Sequence, residues 1–200
     1  MIQFPTRQNQ YLGPLIVGLI SIAGFLFEPM ASDYFALERT WWSQGNYYQI
    51  VSGHFLHTNF IHILFNLLGL LLLWALHGDD YAVATYLGKF LIVCIGITLC
   101  MYVFSDDIVW YVGLSGAIHG VFAWGCIRDV ENKVFSGWLL LIGLALKIGN
   151  EQLNGAGSLM PDLIDATVAI DSHLYGAIMG LLIGIISLLR RQLYIGKSQA

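Results

Sequence analysis

Six apolar runs, spread along almost the whole chain, limit its possible folds more than any other feature. They cover about Leu12–Phe27, Phe55–Leu76, Tyr81–Phe104, Val112–Ile127, Phe135–Gly149 and Val168–Leu189. A helix needs roughly 17–25 apolar residues to cross a bilayer, so the shorter runs have soft ends. Composition argues the same way. Hydrophobic residues make up 57% of the 200 and charged residues 11%, against about 25% charged in an ordinary soluble domain. A chain of this size leaves a large area exposed, and it cannot keep that much apolar surface from water. The expectation is an all-α membrane protein with six transmembrane helices, forming a single domain over residues 1–200. A soluble globule, a disordered tail and a disulfide scaffold are excluded. Cys94, Cys100 and Cys126 fall in apolar runs, and no CxxC is present. The first run ends at Glu28-Pro29 rather than at a small-x-small site, which argues against a removed signal peptide.

Charge placement orients the bundle. With the N-terminus inside, the inner loops hold Arg7, Lys89, Arg128, Lys133, Arg190, Arg191 and Lys197, and the outer loops hold Arg39 and Lys147. The positive-inside rule then puts both termini in the cytoplasm. Most acids collect outside, among them Glu28, Asp106, Glu151 and Asp171. The net charge of −4 offers no basic face to nucleic acid. The outer segment 28–54 is rich in aromatics suited to a membrane interface. The outer segment 150–167 carries Gly155-Ala156-Gly157-Ser158 and is expected to be a flexible cap.

Ionisable and polar groups are costly inside a membrane and mark candidate sites. His57, His62 and Asn66 open the second span, with His62 and Asn66 on one helix face. The fourth span begins Val112-Gly113-Leu114-Ser115-Gly116-Ala117-Ile118-His119-Gly120. The sixth contains His173-Leu174-Tyr175-Gly176-Ala177-Ile178-Met179-Gly180. Gly116 with Gly120, and Gly176 with Gly180, form two GxxxG stripes, and small residues at that spacing let helix backbones approach closely. If the stripes face each other, Ser115 comes within reach of His173. A neutral imidazole can take the serine proton, which turns a weak hydroxyl into a nucleophile. Ser115 also falls at a helix N-terminus, where unpaired N–H groups favour an oxyanion. His62 and Asn66 could add donors.

Plainer readings compete at each position. Ser, Asn and His in membrane helices often only link helices, and glycine stripes often only pack. His57 and His62 are five apart and HExxH is absent, so neither a metal nor any other cofactor is expected. Asp171 or Glu151 could orient a base, but a solvated loop charge is the simpler reading of both. His54 and His77 read as loop or interface residues.

The ordered set His57, His62-x-x-x-Asn66, Gly113-Leu114-Ser115-Gly116 and His173-x-x-Gly176-x-x-x-Gly180, on the second, fourth and sixth of six spans, resembles the rhomboid intramembrane serine proteases. The resemblance covers about residues 12–190. Within that family, the run from Gly113 to Gly120 and the compact size are similar to the rhombosortase branch. The resemblance implies Ser115 as nucleophile and His173 as base. It implies His62, Asn66 and the Ser115 N–H at the oxyanion, and His57 in a supporting place. The implied partners are membrane-anchored protein substrates and the lipid bilayer, with no nucleic acid. The substrates would be exported bacterial proteins with a C-terminal Gly-Gly motif, an apolar helix and a basic tail. The implied location is the bacterial inner membrane, with the site facing the periplasm. The sequence sets no oligomeric state. Two positions depart from the family pattern. A Trp-Arg pair of the first outer loop is replaced by Tyr48-Gln49, where Arg39 or Trp41 can substitute. The position one turn after the serine, often Tyr, is His119. Three other readings stay open: a rhomboid protease with other transmembrane substrates, a non-catalytic client-binding relative, and a small transporter.

Overall fold

The computed structural model describes residues 4–198. Six long helices form the frame: α1 (Gln8–Leu26), α2 (Phe60–His77), α3 (Val83–Phe104), α4 (Ser115–Glu131), α5 (Ser136–Asn154) and α6 (Ile170–Ser198). Among the described residues four segments are long and apolar enough to cross a membrane: Gln8–Leu26, Phe60–Asp80, Val83–Phe104 and Ile170–Leu193. Their flanks leave Leu19, Leu68, Leu72, Ile92, Val103 and Leu182 exposed. Side chains of this kind along whole helices are stable only against lipid or a partner.

The two remaining helices fall short of the expected six spans for different reasons. α4 has 17 residues, about 25 Å of helix at 1.5 Å per residue. It is packed against α2, α3, α5 and α6, so a protein interior replaces lipid around it and its sequence can be rich in glycine. α5 has 19 residues but ends in the polar stretch Lys147 to Asn154.

The contact of α4 with α6 is backbone on backbone. A Cβ added to Gly176 or Gly180 would fall on the carbonyl oxygen of Gly116 or Gly120. The two stripes therefore do face each other, and only glycine allows the approach. Tyr86, Phe90, Val93, Ile97 and Leu114 fill the adjoining core.

Between α1 and α2 the chain is ordered by short helices at Met30–Phe35, Trp41–Gln44 and Gln49–Ser52. Its strand β1 (Leu37–Glu38) pairs antiparallel with β2 (Trp110–Tyr111), Leu37 opposite Tyr111. Arg39 ties this segment to the end of α3 by donating to the carbonyls of Ser105 (2.9 Å) and Tyr102 (2.9 Å), and pairs with Asp106. Trp41 is buried edge-on against Trp42, Tyr47 and Tyr102.

Several sequence boundaries shift. α2 starts at Phe60 because Asn59 caps it, its Oδ1 accepting from the His62 N–H at 2.9 Å. His57 thus precedes the helix instead of opening it. Lys89 lies within α3, its ammonium 3.8 Å from the Trp124 ring centre. Lys147 and Glu151 lie on α5, not in an outer loop. The segment after α5 is not an open loop throughout, since it holds a helix at Leu159–Ile164. That helix is fastened to the start of α2, where Thr58 Oγ1 donates to the Ile164 carbonyl (2.7 Å) and Asn59 Nδ2 to that of Leu163 (3.0 Å).

His54 sits in the turn Gly53–Phe55 before α2 and His77 is the last residue of α2, and both are almost wholly buried. His54 shares its Nε2–H between the Cys94 carbonyl (3.1 Å) and Thr98 Oγ1 (3.1 Å). Burial pushes its pKa down to about 4, with the hydrogen bond to Cys94 pulling back less strongly. His77 fits a notch that opens because residue 125 is glycine, with Asp129 at 3.5 Å.

Candidate active site

Helices α2, α4 and α6 all begin at one end of the bundle, and α5 finishes there. Ser115 is the first residue of α4 and His173 is near the start of α6. The Gly116–Gly176 approach brings the two starts together. His173 Nε2 lies 2.9 Å from Ser115 Oγ, within hydrogen-bond distance. The His173 side chain is buried.

The turn into α4 depends on Gly113. Its φ of +137° belongs to glycine, and a Cβ there would meet the tip of the His62 ring at 3.2 Å. The Gly113 N–H donates to the Gly53 carbonyl (3.1 Å) and its own carbonyl accepts from the Tyr111 hydroxyl (2.6 Å). This holds Ser115 at a half-buried helix start, where the first backbone N–H groups have no intrahelical partner.

Sequence-predicted residues gather here unequally. His62 and Asn66 line one cavity of about 250 Å³ with Ser115, His119 and His173. His62 Nδ1 is 3.2 Å from Thr58 Oγ1, which leaves its Nε2 edge toward Gly113. Asn66 Nδ2 spends one N–H on the His62 carbonyl (3.1 Å) and keeps a second to offer. His57 stands behind, buried edge-on against His62 with ring centres 4.9 Å apart. His119 donates from Nδ1 to the Ser115 carbonyl (2.7 Å) and stacks on His173, centres 4.3 Å apart and planes at 18°. Gly116, Gly120, Gly176 and Gly180 act through helix approach alone.

Glu151, which from the sequence could orient a base but reads more simply as a solvated loop charge, lies at the site. Its carboxylate oxygens lie 3.0 and 3.2 Å from His173 Nδ1, and only 13% of its side chain is exposed. The helical spacing of Lys147 and Glu151, four apart, is the signal that could have placed both on α5. Asp171, the other candidate acid, turns instead to Ser105 and lies 3.5 Å from Gln152 Nε2. His119, Glu151 and His173 offer donor atoms within 4.8 Å of one another, a spacing a divalent ion could use.

A second cavity of about 570 Å³ adjoins the first, lined by Thr58, His62, Tyr111, Ile164 and Asp171. His62, Ile164 and Val168 line both. Water has room beside the hydroxyl–imidazole pair.

These features define a class: an all-helical integral membrane protein with a hydroxyl–imidazole pair in a cavity at one end. The chain matches the family model described as Rhomboid domain over residues 44–190 and belongs to the rhomboid family. Members of that family are serine intramembrane proteases and act on membrane-protein substrates within the bilayer. No curated protein matches the chain.

Proposed function

We propose that this chain is an intramembrane serine endopeptidase of rhombosortase type. In this reading six helices span the bacterial inner membrane, both termini are cytoplasmic, and the site opens to the periplasm. The observation that carries it is the 2.9 Å separation of Ser115 Oγ and His173 Nε2. The run Gly113 to Gly120 supports the branch assignment.

Ser115 Oγ attacks the scissile carbonyl carbon as its proton passes to His173 Nε2. The carbonyl electron pair moves to oxygen. That oxyanion is held by the Ser115 N–H, His62 and Asn66, donors of the kind whose individual removal costs about 10²–10³ in kcat. Collapse breaks the C–N bond, and the imidazolium returns its proton to the departing amine. Water then attacks the acyl-enzyme carbonyl, giving its proton to His173, and collapse breaks the ester C–O bond as the imidazolium returns that proton to Ser115 Oγ. A substrate helix must unwind before its carbonyl is reachable, and glycine pairs ease that step because they favour helix least among non-proline residues.

The test is co-expression with an exported protein carrying a Gly-Gly, apolar helix and basic tail. Wild type releases the tail, whereas Ser115→Ala and His173→Ala do not. Cleavage of ordinary transmembrane substrates with the Gly-Gly tail left intact would move the chain to the general rhomboid proteases. Rescue of a growth or sorting defect by Ser115→Ala would favour client binding without cleavage.

A further inference from the structure

We infer that Glu151 is a positioning residue that holds His173 in the tautomer able to accept the Ser115 proton. The inference rests on the roles proposed above for Ser115 and His173. Both Glu151 oxygens face His173 Nδ1, at 3.0 and 3.2 Å. An ionised carboxylate only accepts hydrogen bonds, so Nδ1 must carry the hydrogen. A neutral imidazole has one N–H, which leaves a lone pair on Nε2, the atom 2.9 Å from Ser115 Oγ. The hydroxyl is then the donor in that contact, as nucleophile activation requires.

Other neighbours of His173 cannot set this. His119 stacks on the ring face and is indifferent to which nitrogen is protonated. Asp171, although two residues away in the chain, is turned to Ser105. Glu151 comes from another helix and is itself held: Lys147 Nζ donates to its Oε1 at 2.7 Å from one turn earlier. A carboxylate so little exposed needs partners for its charge, and here the partners are the lysine and the imidazole. When the Ser115 proton moves to Nε2, the imidazolium forms beside a fixed negative charge. Glu151 keeps its own ionisation throughout, and the proton returns from Nε2 to the departing amine.

The experiment measures kinact and KI for a fluorophosphonate probe on the full chain in detergent. Glu151→Gln is expected to lower kinact about 10²-fold with KI within twofold, because the amide keeps the shape and loses the charge that selects the tautomer. A kinact within threefold of wild type would overturn the inference, as would a loss confined to KI. Should Glu151→Gln not fold, Glu151→Asp and Glu151→Asn form a second pair of equal size. Asp is expected at least tenfold faster than Asn, and equal rates overturn the inference. Undiminished labelling of Ser115→Ala, or no labelling of wild type, would instead defeat the reading of Ser115 and His173 on which it rests.

Discussion

The His119 ring lies flat on the His173 ring, with centres 4.3 Å apart. A stack of this kind restrains the imidazole against swinging out of plane, and His119 is itself fixed by donating to the Ser115 carbonyl. Replacing His119 with Ala should lower kcat about fivefold, the order expected for an aromatic contact worth ~1 kcal/mol, with KM little changed. His119→Tyr, which keeps a flat ring, should recover most of the rate. Equal loss in both variants would show that the imidazole itself is needed.

Asn66 is buried on the face of α2 that looks into the Ser115 cavity. If its second amide hydrogen meets the oxyanion, Asn66→Ala should cost about 10²–10³ in kcat. Purified protein and a steady-state cleavage assay suffice. A drop below threefold would remove Asn66 from the oxyanion site.

Gly180 has no room for a methyl group, because the Gly120 carbonyl occupies that space. Gly180→Ala should destabilise the bundle by about 3 kcal/mol or more, the upper range for overpacking, and separate Ser115 from His173. Gly143 is the control. Nothing lies within 4 Å of a Cβ built there, so Gly143→Ala should be neutral or raise stability by about 1 kcal/mol through helix propensity. Thermal melting in detergent checks both.

His54 makes stability depend on pH. Folding lowers its pKa from 6.5 to about 4, so the unfolded chain binds the proton first as pH falls. Stability is therefore fully present above about pH 6.5 and is lost between there and about pH 4, by an amount on the order of 3 kcal/mol. His54→Gln should melt at a lower temperature at pH 8 and show a shallower fall toward pH 4. Parallel curves for the two proteins would contradict this assignment.

Local patterns in the sequence carry much of this architecture. The glycine spacing of 116/120 and 176/180 states which faces of α4 and α6 meet, and that contact alone brings Ser115 to His173. Helix ends are less visible, because a cap such as Asn59 acts through one hydrogen bond. The sequence alone therefore places His57 in the second span. Glu151 reads as a solvated loop charge for a related reason. The stretch Lys147 to Asn154 is polar enough to read as a loop, yet α5 continues through it. Nothing near residue 151 in the chain names a partner 22 residues away. His54 was obscure likewise, since its acceptors on α3 lie about 40 residues further on.

The most direct measurement is fluorophosphonate labelling of membranes holding wild type, Ser115→Ala or His173→Ala, with a known rhomboid protease labelled in parallel. An activated Ser115 gives a wild-type band that is absent from both variants. A silent wild type beside a labelled control, or a band that survives in Ser115→Ala, would contradict a Ser115–His173 protease.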